Sequence, residues 1–131
     1  MKVTRFDASE DLIVVPGFVW GPHGKDEVRL AIDTAASETL VIPEVVDGLG
    51  YSPRQGEAPT RIRSAVAEEP GYLLRVERFR ALGHQFTDFR LHVHDLPEGF
   101  GIQGLLGLAF LRHFNYEVRS REGRIVVERA S

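Results

Sequence analysis

A chain of 131 residues can bury one hydrophobic core without metal ions or disulfides, so we expect a single domain over residues 1–131. Its net charge of −3 comes from 16 basic and 19 acidic residues spread along the chain, which argues against nucleic acid or an anionic membrane as a partner. The absence of cysteine excludes thiolate catalysis, disulfides and thiolate metal sites.

The N-terminal residues 1–15 carry charges on both sides of a short apolar run and have no small-residue cleavage site. No stretch of the sequence reaches the roughly 18 apolar residues of a membrane span. We therefore expect a soluble, cytoplasmic protein. The first ten residues fit two roles, either as part of a subunit interface or as a mobile arm.

Short apolar runs rich in Val, Ile and Phe, separated by Gly, Pro or charged turns, predict an all-β fold. The predicted strands are 12–19, 28–32, 39–42, 71–80, 86–93 and 124–128. The glycines and proline of 20–27 predict a hairpin turn after the first of these strands. The segment 120–124 predicts a second hairpin turn, between 116–118 and 125–127.

The segment 60–82 is predicted to form a strand, a turn around 68–71 and a second strand. Its arginines make it too polar to be covered on both faces, so we expect a projecting hairpin with at least one arm partly over solvent. These arginines are Arg61, Arg63, Arg75, Arg78 and Arg80. Glu68, Glu69 and Glu77 nearly balance them, which argues against a phosphate-binding site.

Two short helices are predicted. In 43–50, Pro43 stands at a first helical position and glycines end the pattern. In 105–115, apolar residues recur at helical spacing and Asn115 suits the C-terminal position. The apolar residues of this second pattern are Leu108, Leu111 and Phe114.

Asp33 ends the predicted strand 28–32, where that strand meets a tight loop. The side chains that follow are small, so a substrate or a second backbone can approach the carboxylate closely. They belong to Thr34, Ala35, Ala36 and Ser37. An aspartate in this place is either a turn cap or a reacting group, and the residues themselves leave both open.

Three separated segments form a known pattern: "LAIDTAASETLVIP" at 30–43, "IQGLLGLAFLRHFNYEV" at 102–118 and "GRIVVE" at 123–128. Together they resemble the retropepsin-like aspartic proteases, especially the small single-domain bacterial relatives of the retroviral enzymes. The resemblance covers residues 12–128. It implies a closed, barrel-like all-β fold with a flap hairpin, matched by 60–82, and one short C-terminal helix.

The resemblance also implies the chemistry. In this family two carboxylates hydrolyse the peptide bond, one as general base toward water and one as general acid. The chain offers one such motif, so its second carboxylate implies a homodimer with Asp33 of both copies at the axis. Thr34 matches the residue that braces the two loops across that axis. No metal or organic cofactor is implied.

The expected substrate is a peptide or protein in an extended conformation, bound as an added strand. The substrate-binding positions implied by the resemblance are Ala36, Ser37, Ser64, Ala65, Val66 and Leu105. The last of these belongs to the apolar-apolar-Gly element at 105–107, which in the family passes close to the catalytic loop.

Two positions depart from the family pattern. Ala35 stands where the family has glycine, so its methyl group can crowd the peptide or strain the turn. Ala109 stands where the short helix often has Asp or Asn, which removes a side-chain hydrogen bond. The alternative function is therefore a catalytically impaired homodimer that binds peptides.

Other site types have weaker support. His92 and His94 lie on one face of a predicted strand and suit zinc or copper, but a third ligand is missing. The glycines of 99–107 lack the Lys-Ser/Thr of a phosphate-binding loop, and Ser37 lacks the Gly-x-Ser-x-Gly motif of a serine hydrolase. A metal-binding β-protein is thus a third, distant alternative.

Overall fold

Ten strands and two short helices form the part of the chain described by the computed structural model. The backbone is described for residues 1–56, 58–63, 68–97, 99 and 101–130, and the side chains for these residues except 58–63 and 68–70. In chain order the elements are β1 (Lys2–Arg5), β2 (Val14–Gly21), β3 (Gly24–Ile32), β4 (Leu40–Val41), α1 (Pro43–Gly48), a 3-10 turn (Pro53–Gln55), β5 (Ala58–Arg63), β6 (Glu68–Ala81), β7 (His84–Val93), β8 (Gly104–Leu106), α2 (Leu108–Leu111), β9 (Phe114–Arg119) and β10 (Arg124–Arg129).

Six of the strands close into a barrel. Their order is β2-β3-β8-β4-β7-β6, and the ring closes because β6 also pairs with β2, from Gly17 opposite Ala81 to Trp20 opposite Arg78. β5 pairs with β6 outside this ring, and β1, β10 and β9 form a second sheet. The predicted all-β, closed barrel-like fold is confirmed.

Tight turns set the register of the barrel hairpins. Gly21 pairs with Gly24, and Ala81 pairs with His84, so each turn contains two residues. In the second turn Leu82 has a φ of 52° and Gly83 a φ of 77°, as a type I′ turn requires. This conformation is costly for leucine, but the Leu82 side chain is only 2% exposed. Burial therefore compensates for the strained backbone.

The β6–β7 hairpin changes its inward face midway. Leu74 and Val76 are buried in its first part, whereas Phe79 and Ala81 are buried in its second part. On β7, Asp88 adopts a φ of 51° between the two residue pairs that flank this change. A left-handed residue increases the local twist, so one long hairpin can pack against two regions of the core.

An aromatic cluster holds α2 against the barrel. The Phe110 side chain is fully buried, at 0% exposed. Its ring centroid lies 5.2–6.0 Å from those of Phe79, Phe86, Phe89 and Phe114. A helix of one turn has little stability of its own, so these contacts keep α2 folded.

The helix predicted over 105–115 is wrong except at its centre. Gly104–Leu106 form β8, which pairs with β3 on one side and β4 on the other, and Phe114 begins β9. The helical spacing of the apolar residues is real, but strand pairing satisfies the backbone groups at both ends of the segment. The helix is thereby shortened to Leu108–Leu111.

The turn predicted around 68–71 is also wrong, because these residues belong to β6 and pair with β5. Pro70 fits in this strand because the pairing with β7 begins later, at Tyr72, so its missing N–H costs no bond to β7. The residues 64–67 between the two arms lie outside the described part of the chain.

The N-terminal residues pair with the C-terminal strand. Lys2–Arg5 form β1, from Lys2 opposite Val127 to Arg5 opposite Arg124, so these four residues are not a mobile arm. The other predicted role, in a subunit interface, stays a prediction. No helix in the described ranges is long and apolar enough to span a membrane.

The aromatic cluster gives a stability prediction. Phe110→Ala removes the central ring and leaves a cavity, so we expect it to lower the free energy of unfolding by about 3–5 kcal/mol. The control is Arg112→Ala at the exposed end of the same helix, expected to change it by less than about 0.5 kcal/mol. Chemical denaturation measures both. Equal effects of the two substitutions would contradict this role of Phe110.

Candidate active site

Asp33 follows β3 directly and begins a tight turn. Its N–H donates to the carbonyl oxygen of Leu106 at 3.0 Å, which extends the parallel pairing between β3 and β8. Its own carbonyl oxygen accepts a hydrogen bond from the N–H of Ala36 at 3.2 Å. The chain therefore reverses over 33–36, and the adjacent strand holds the start of this turn in place.

The half-buried carboxylate of Asp33 also stabilises the turn. Its Oδ1 accepts a hydrogen bond from the N–H of Ala35 at 2.9 Å, the geometry of an Asx turn. The described non-glycine residues with positive φ are Leu82 and Asp88, so Ala35 is not in the left-handed region. The methyl group at this position therefore does not strain the turn, contrary to the strain that the missing glycine led us to expect.

The first turn of α2 is hydrogen-bonded to the Asp33 loop. The N–H groups of Leu108 and Ala109 donate to the carbonyl oxygens of Ala36 and Ser37, both at 2.8 Å. Ala109 lacks the polar side chain of the family pattern, but its backbone supplies a direct link to the loop. The loop and the helix are thus held together by main-chain hydrogen bonds.

Thr39 makes a further link that the sequence analysis missed. Its side chain is fully buried, and its Oγ1 accepts a hydrogen bond from the N–H of Gly107 at 3.2 Å. Buried threonine hydroxyls need a partner, because an unsatisfied polar group in the core is costly. A threonine at the start of an apolar run was the signal available in the sequence.

The segment that leads into α2 approaches the Asp33 loop closely at Gly107. A Cβ atom there would clash with the carbonyl oxygen of Glu38 and lie 2.7 Å from that of Ala36. No side chain fits between these two backbone segments. Glycine at this position therefore determines how near β8 and α2 can lie to the Asp33 loop.

An apolar cavity of about 380 Å³ opens beside Asp33. Asp33 is the one ionisable residue among the described residues that line it. The remaining walls come from Leu12, Ala31, Ile32, Leu96, Pro97, Ile102 and Leu105. A carboxylate at the edge of an apolar cavity of this size is typical of a site for a small ligand or side chain.

The predicted site residues are placed as follows. Asp33 and Leu105 meet at the cavity. The rest of the loop lies beside them, with Thr34, Ala35 and Ser37 exposed and Ala36 half-buried. Ser64, Ala65 and Val66 lie outside the described residues. The binding and bracing roles assigned to these residues stay predictions.

Several cavity walls were not predicted from the sequence. Leu12 precedes β2, and Leu96, Pro97 and Ile102 lie between β7 and β8. Leu12 was placed in the predicted strand 12–19 and not in the site, whereas β2 begins at Val14; the other three belong to an irregular segment, where no periodic pattern identifies a buried face. Apolar residues in a stretch otherwise rich in glycine and proline were the available clue.

A charged pair lies at the far end of the Asp33 loop. Glu38 and Arg90 approach to 3.5 Å, and His92 follows on the same strand as Arg90. Burial lowers the pKa of His92 below its ordinary value of 6.5, Glu38 raises it, and Arg90 and His94 lower it further. Among the described residues, no group of three or more His, Cys, Asp or Glu could hold a metal ion.

The close approach at Gly107 predicts that one added methyl group lowers the stability of the fold. Gly107→Ala pushes α2 away from the loop, so we expect a loss of about 1–3 kcal/mol in the free energy of unfolding. Gly48→Ala is the matched control, because a Cβ at Gly48 meets nothing within 4 Å. It should be neutral or stabilising by up to about 1 kcal/mol. Similar destabilisation in both variants, measured by denaturation, would argue against the close approach.

The lowered pKa of His92 predicts a pH dependence of stability. The unfolded chain takes up this proton near pH 6.5, whereas the folded chain takes it up only at lower pH. Folding therefore loses stability as the pH falls below this value. His92→Gln should lose less stability than the parent chain between about pH 7 and pH 5, as measured by denaturation at each pH. Parallel losses in the two proteins would show that His92 does not contribute.

Comparison with known proteins agrees with this geometry. A family model described as aspartyl protease matches residues 19–110, more than two thirds of the chain. No curated protein gives a significant match. The solved structure of a retropepsin-like aspartic protease from Rickettsia conorii is similar, with a TM-score of 0.68 and 17% identity over 95% of this chain and 87% of that chain.

A second similar structure is the EIAV protease complexed with the inhibitor HBY-793. Its TM-score is 0.56 at 15% identity, covering 79% of this chain and 88% of that chain. At these identities the two structures establish the fold and not the activity. Together with the family match, they show that the chain belongs to the aspartyl proteases and has the retropepsin-like fold.

Proposed function

We propose that the chain is an aspartic endopeptidase that hydrolyses peptide bonds with a carboxylate dyad, formed by Asp33 from two copies. The observation that carries the proposal is the position of Asp33. Its carboxylate is held by a backbone N–H at 2.9 Å and stands at the edge of an apolar cavity of about 380 Å³. It is thus oriented before any substrate arrives.

The second carboxylate is proposed to come from another copy of the chain. Peptide hydrolysis needs a base for the water and an acid for the leaving amine, and the cavity is lined by one ionisable residue among those described. Two such carboxyl groups in close contact cannot both be ionised, so the pair shares one proton. A two-fold homodimer supplies this pair with one sequence.

In the proposed reaction the ionised carboxylate takes a proton from water as the water oxygen bonds to the carbonyl carbon. The protonated carboxyl then gives its proton to the peptide nitrogen, and the carbon–nitrogen bond breaks. Thr34, which is exposed in a single chain, is proposed to contact the second copy and to keep both carboxyl groups aligned.

The substrate is proposed to bind in an extended conformation, with one apolar side chain entering the cavity beside Asp33. The cavity walls suit a large apolar group, because they contain aliphatic side chains and a proline. The β5–β6 hairpin is proposed to act as a flap over this substrate, since β6 runs four residues beyond its pairing with β7. A closed flap excludes water from the reacting groups.

The position of Ala35 favours an active enzyme over an impaired one. Its N–H supports the Asp33 carboxylate, and its backbone is not in the left-handed region. The methyl group of Ala35 would impair activity only by contact with the substrate backbone. Ala35→Gly removes that methyl group, so the variant tests this contact directly.

Cleavage of a peptide library at acidic to neutral pH tests the activity. We expect Asp33→Asn to lower kcat by about 10²–10⁴-fold, the usual contribution of a general acid or base. Ala35→Gly should keep or raise the activity. Asp47→Asn, at an exposed position in α1, is the matched control and should leave activity unchanged. Binding of peptides without cleavage by the parent chain and Ala35→Gly would favour the impaired alternative.

Mixing two chains tests whether the dyad spans a dimer. Adding Asp33→Asn chains in equal amount to the parent chain should reduce its activity to about half, because random exchange leaves half of the active chains paired with each other. The Asp47→Asn chain, added in the same way, should not reduce activity. Unchanged activity after complete exchange of subunits would show that one copy suffices.

A further inference from the structure

We infer that Arg29 positions both walls of the cavity beside Asp33 and so determines which side chain the proposed protease accepts. The inference rests on the proposed function, and it names a specificity-determining residue outside the cavity. Arg29 lies on β3, four residues before Asp33, and is not among the residues that line the cavity.

The two walls come from separate irregular segments. Leu12 belongs to the segment between β1 and β2, and Ile102 belongs to the segment between β7 and β8. The described residues of these segments contain no strand or helix, so neither has a ladder of hydrogen bonds of its own. The shape of the cavity therefore depends on what connects these segments to the barrel.

The guanidinium of Arg29 contacts both segments. Its Nε donates to the carbonyl oxygen of Gly101 at 2.8 Å, immediately before Ile102. Its Nη2 donates to the carboxylate of Glu10 at 3.3 Å, two residues before Leu12. One planar group with several fixed donors can make both contacts at once.

Gln103, which follows Ile102, is hydrogen-bonded to the backbone of β3 at Arg29. Its Oε1 accepts a hydrogen bond from the N–H of Arg29 at 2.9 Å, and its N–H donates to the carbonyl oxygen of Arg29 at 2.8 Å. The end of the second wall is thereby aligned with the strand that leads to Asp33. Movement of Arg29 would change the distance between the wall and the catalytic loop.

The segment that carries Ile102 needs a hydrogen bond to the barrel because it contains two glycines. Gly99 and Gly101 have φ values of +97° and +67°, and a Cβ at either would meet nothing within 4 Å. Packing at these two points therefore does not hold the loop. The bond from Arg29 to the Gly101 carbonyl is a contact that does.

The two contacts of the Arg29 guanidinium, with Glu10 and with Gly101, are expected to contribute unequally to holding the cavity walls in place. The side chains of Arg29 and Glu10 are 54% and 39% exposed, so their ion pair is screened by solvent and contributes little. The bond to Gly101 is shorter and anchors a backbone group. Loss of Glu10 should therefore have a small effect, and loss of the guanidinium a larger one.

The experiment compares peptides that differ only in the side chain proposed to enter the cavity, with Ala, Leu or Phe at that place. We expect Arg29→Met to raise KM for the Leu and Phe peptides by about tenfold while KM for the Ala peptide and kcat change by less than about twofold. Arg29→Lys, which keeps the charge but not the planar fork, should give an intermediate KM. Glu10→Gln should resemble the parent chain.

Arg119→Met is the matched control. Arg119 is a similarly exposed arginine at the end of β9, in the second sheet, and it pairs with Glu122 in the turn that follows. It should leave all three KM values unchanged. Equal changes of KM for the Ala and Phe peptides in Arg29→Met would overturn the inference. So would a change of the same size in Arg119→Met.

A second measurement separates this inference from the proposed function. In an Asp33→Asn background, where turnover is expected to be at least about 10²-fold slower, titration with the Ala and Phe peptides gives the ratio of their Kd values. Arg29→Met should reduce this preference for Phe by about tenfold, and Arg119→Met should preserve it. Failure of cleavage in the parent chain would refute the proposed function, whereas an unchanged Kd ratio in Arg29→Met would refute the role of Arg29.

Hydrogen exchange controls for unfolding in the same proteins. Arg29→Met should increase amide exchange clearly in 101–103 and less in 8–12, while exchange in the barrel strands stays that of the parent chain. Faster exchange throughout the barrel would mean a general loss of stability, and the assignment of Arg29 to the cavity walls would then fail.

Discussion

The close main-chain contact between the Asp33 loop and the segment that runs from β8 into α2 is the constraint on which the site depends. Four backbone N–H groups cross this contact, those of Asp33, Gly107, Leu108 and Ala109, and all find acceptors within 3.2 Å. Three of the acceptors are backbone carbonyl oxygens and the fourth is the buried hydroxyl of Thr39, so the loop is held mainly by main-chain bonds. The orientation of the carboxylate then follows from a single further bond, from the N–H of Ala35.

The segment that makes this contact also supplies a strand of the barrel. β8 has only three residues, yet it pairs with β3 on one side and β4 on the other. A strand so short is held by its neighbours more than by its own sequence. The same pairing brings Leu105 to the cavity beside Asp33, so a barrel strand also forms part of the site. The buried ring of Phe110 holds the next turn of chain in place.

The sequence predicted the elements that carry a local signal. Alternating apolar runs and glycine turns predicted the long strands and the hairpin turns within 20–27 and 120–124, and Pro43 predicted α1. β8 was not predicted. The helical spacing of Leu108, Leu111 and Phe114 extended the predicted helix back over 105–106, and the pairing that makes these residues a strand involves residues distant in the sequence. The cavity walls at Leu12 and Ile102, and the links through Arg29 and Thr39, were missed because they depend on contacts between residues far apart in the sequence.

The two positions where the family pattern has glycine, 35 and 107, differ in what they demand of the backbone. At Gly107 any Cβ would meet the carbonyl oxygen of Glu38, so the contact between loop and helix excludes every other residue. Ala35 is outside the left-handed region and uses its N–H to hold Asp33, so nothing among the described residues requires glycine there. Ala35→Gly is thus expected to cost up to about 1 kcal/mol of stability through the added freedom of the unfolded chain, and any gain in activity that it brings comes from the proposed substrate or second copy and not from the Asp33 loop.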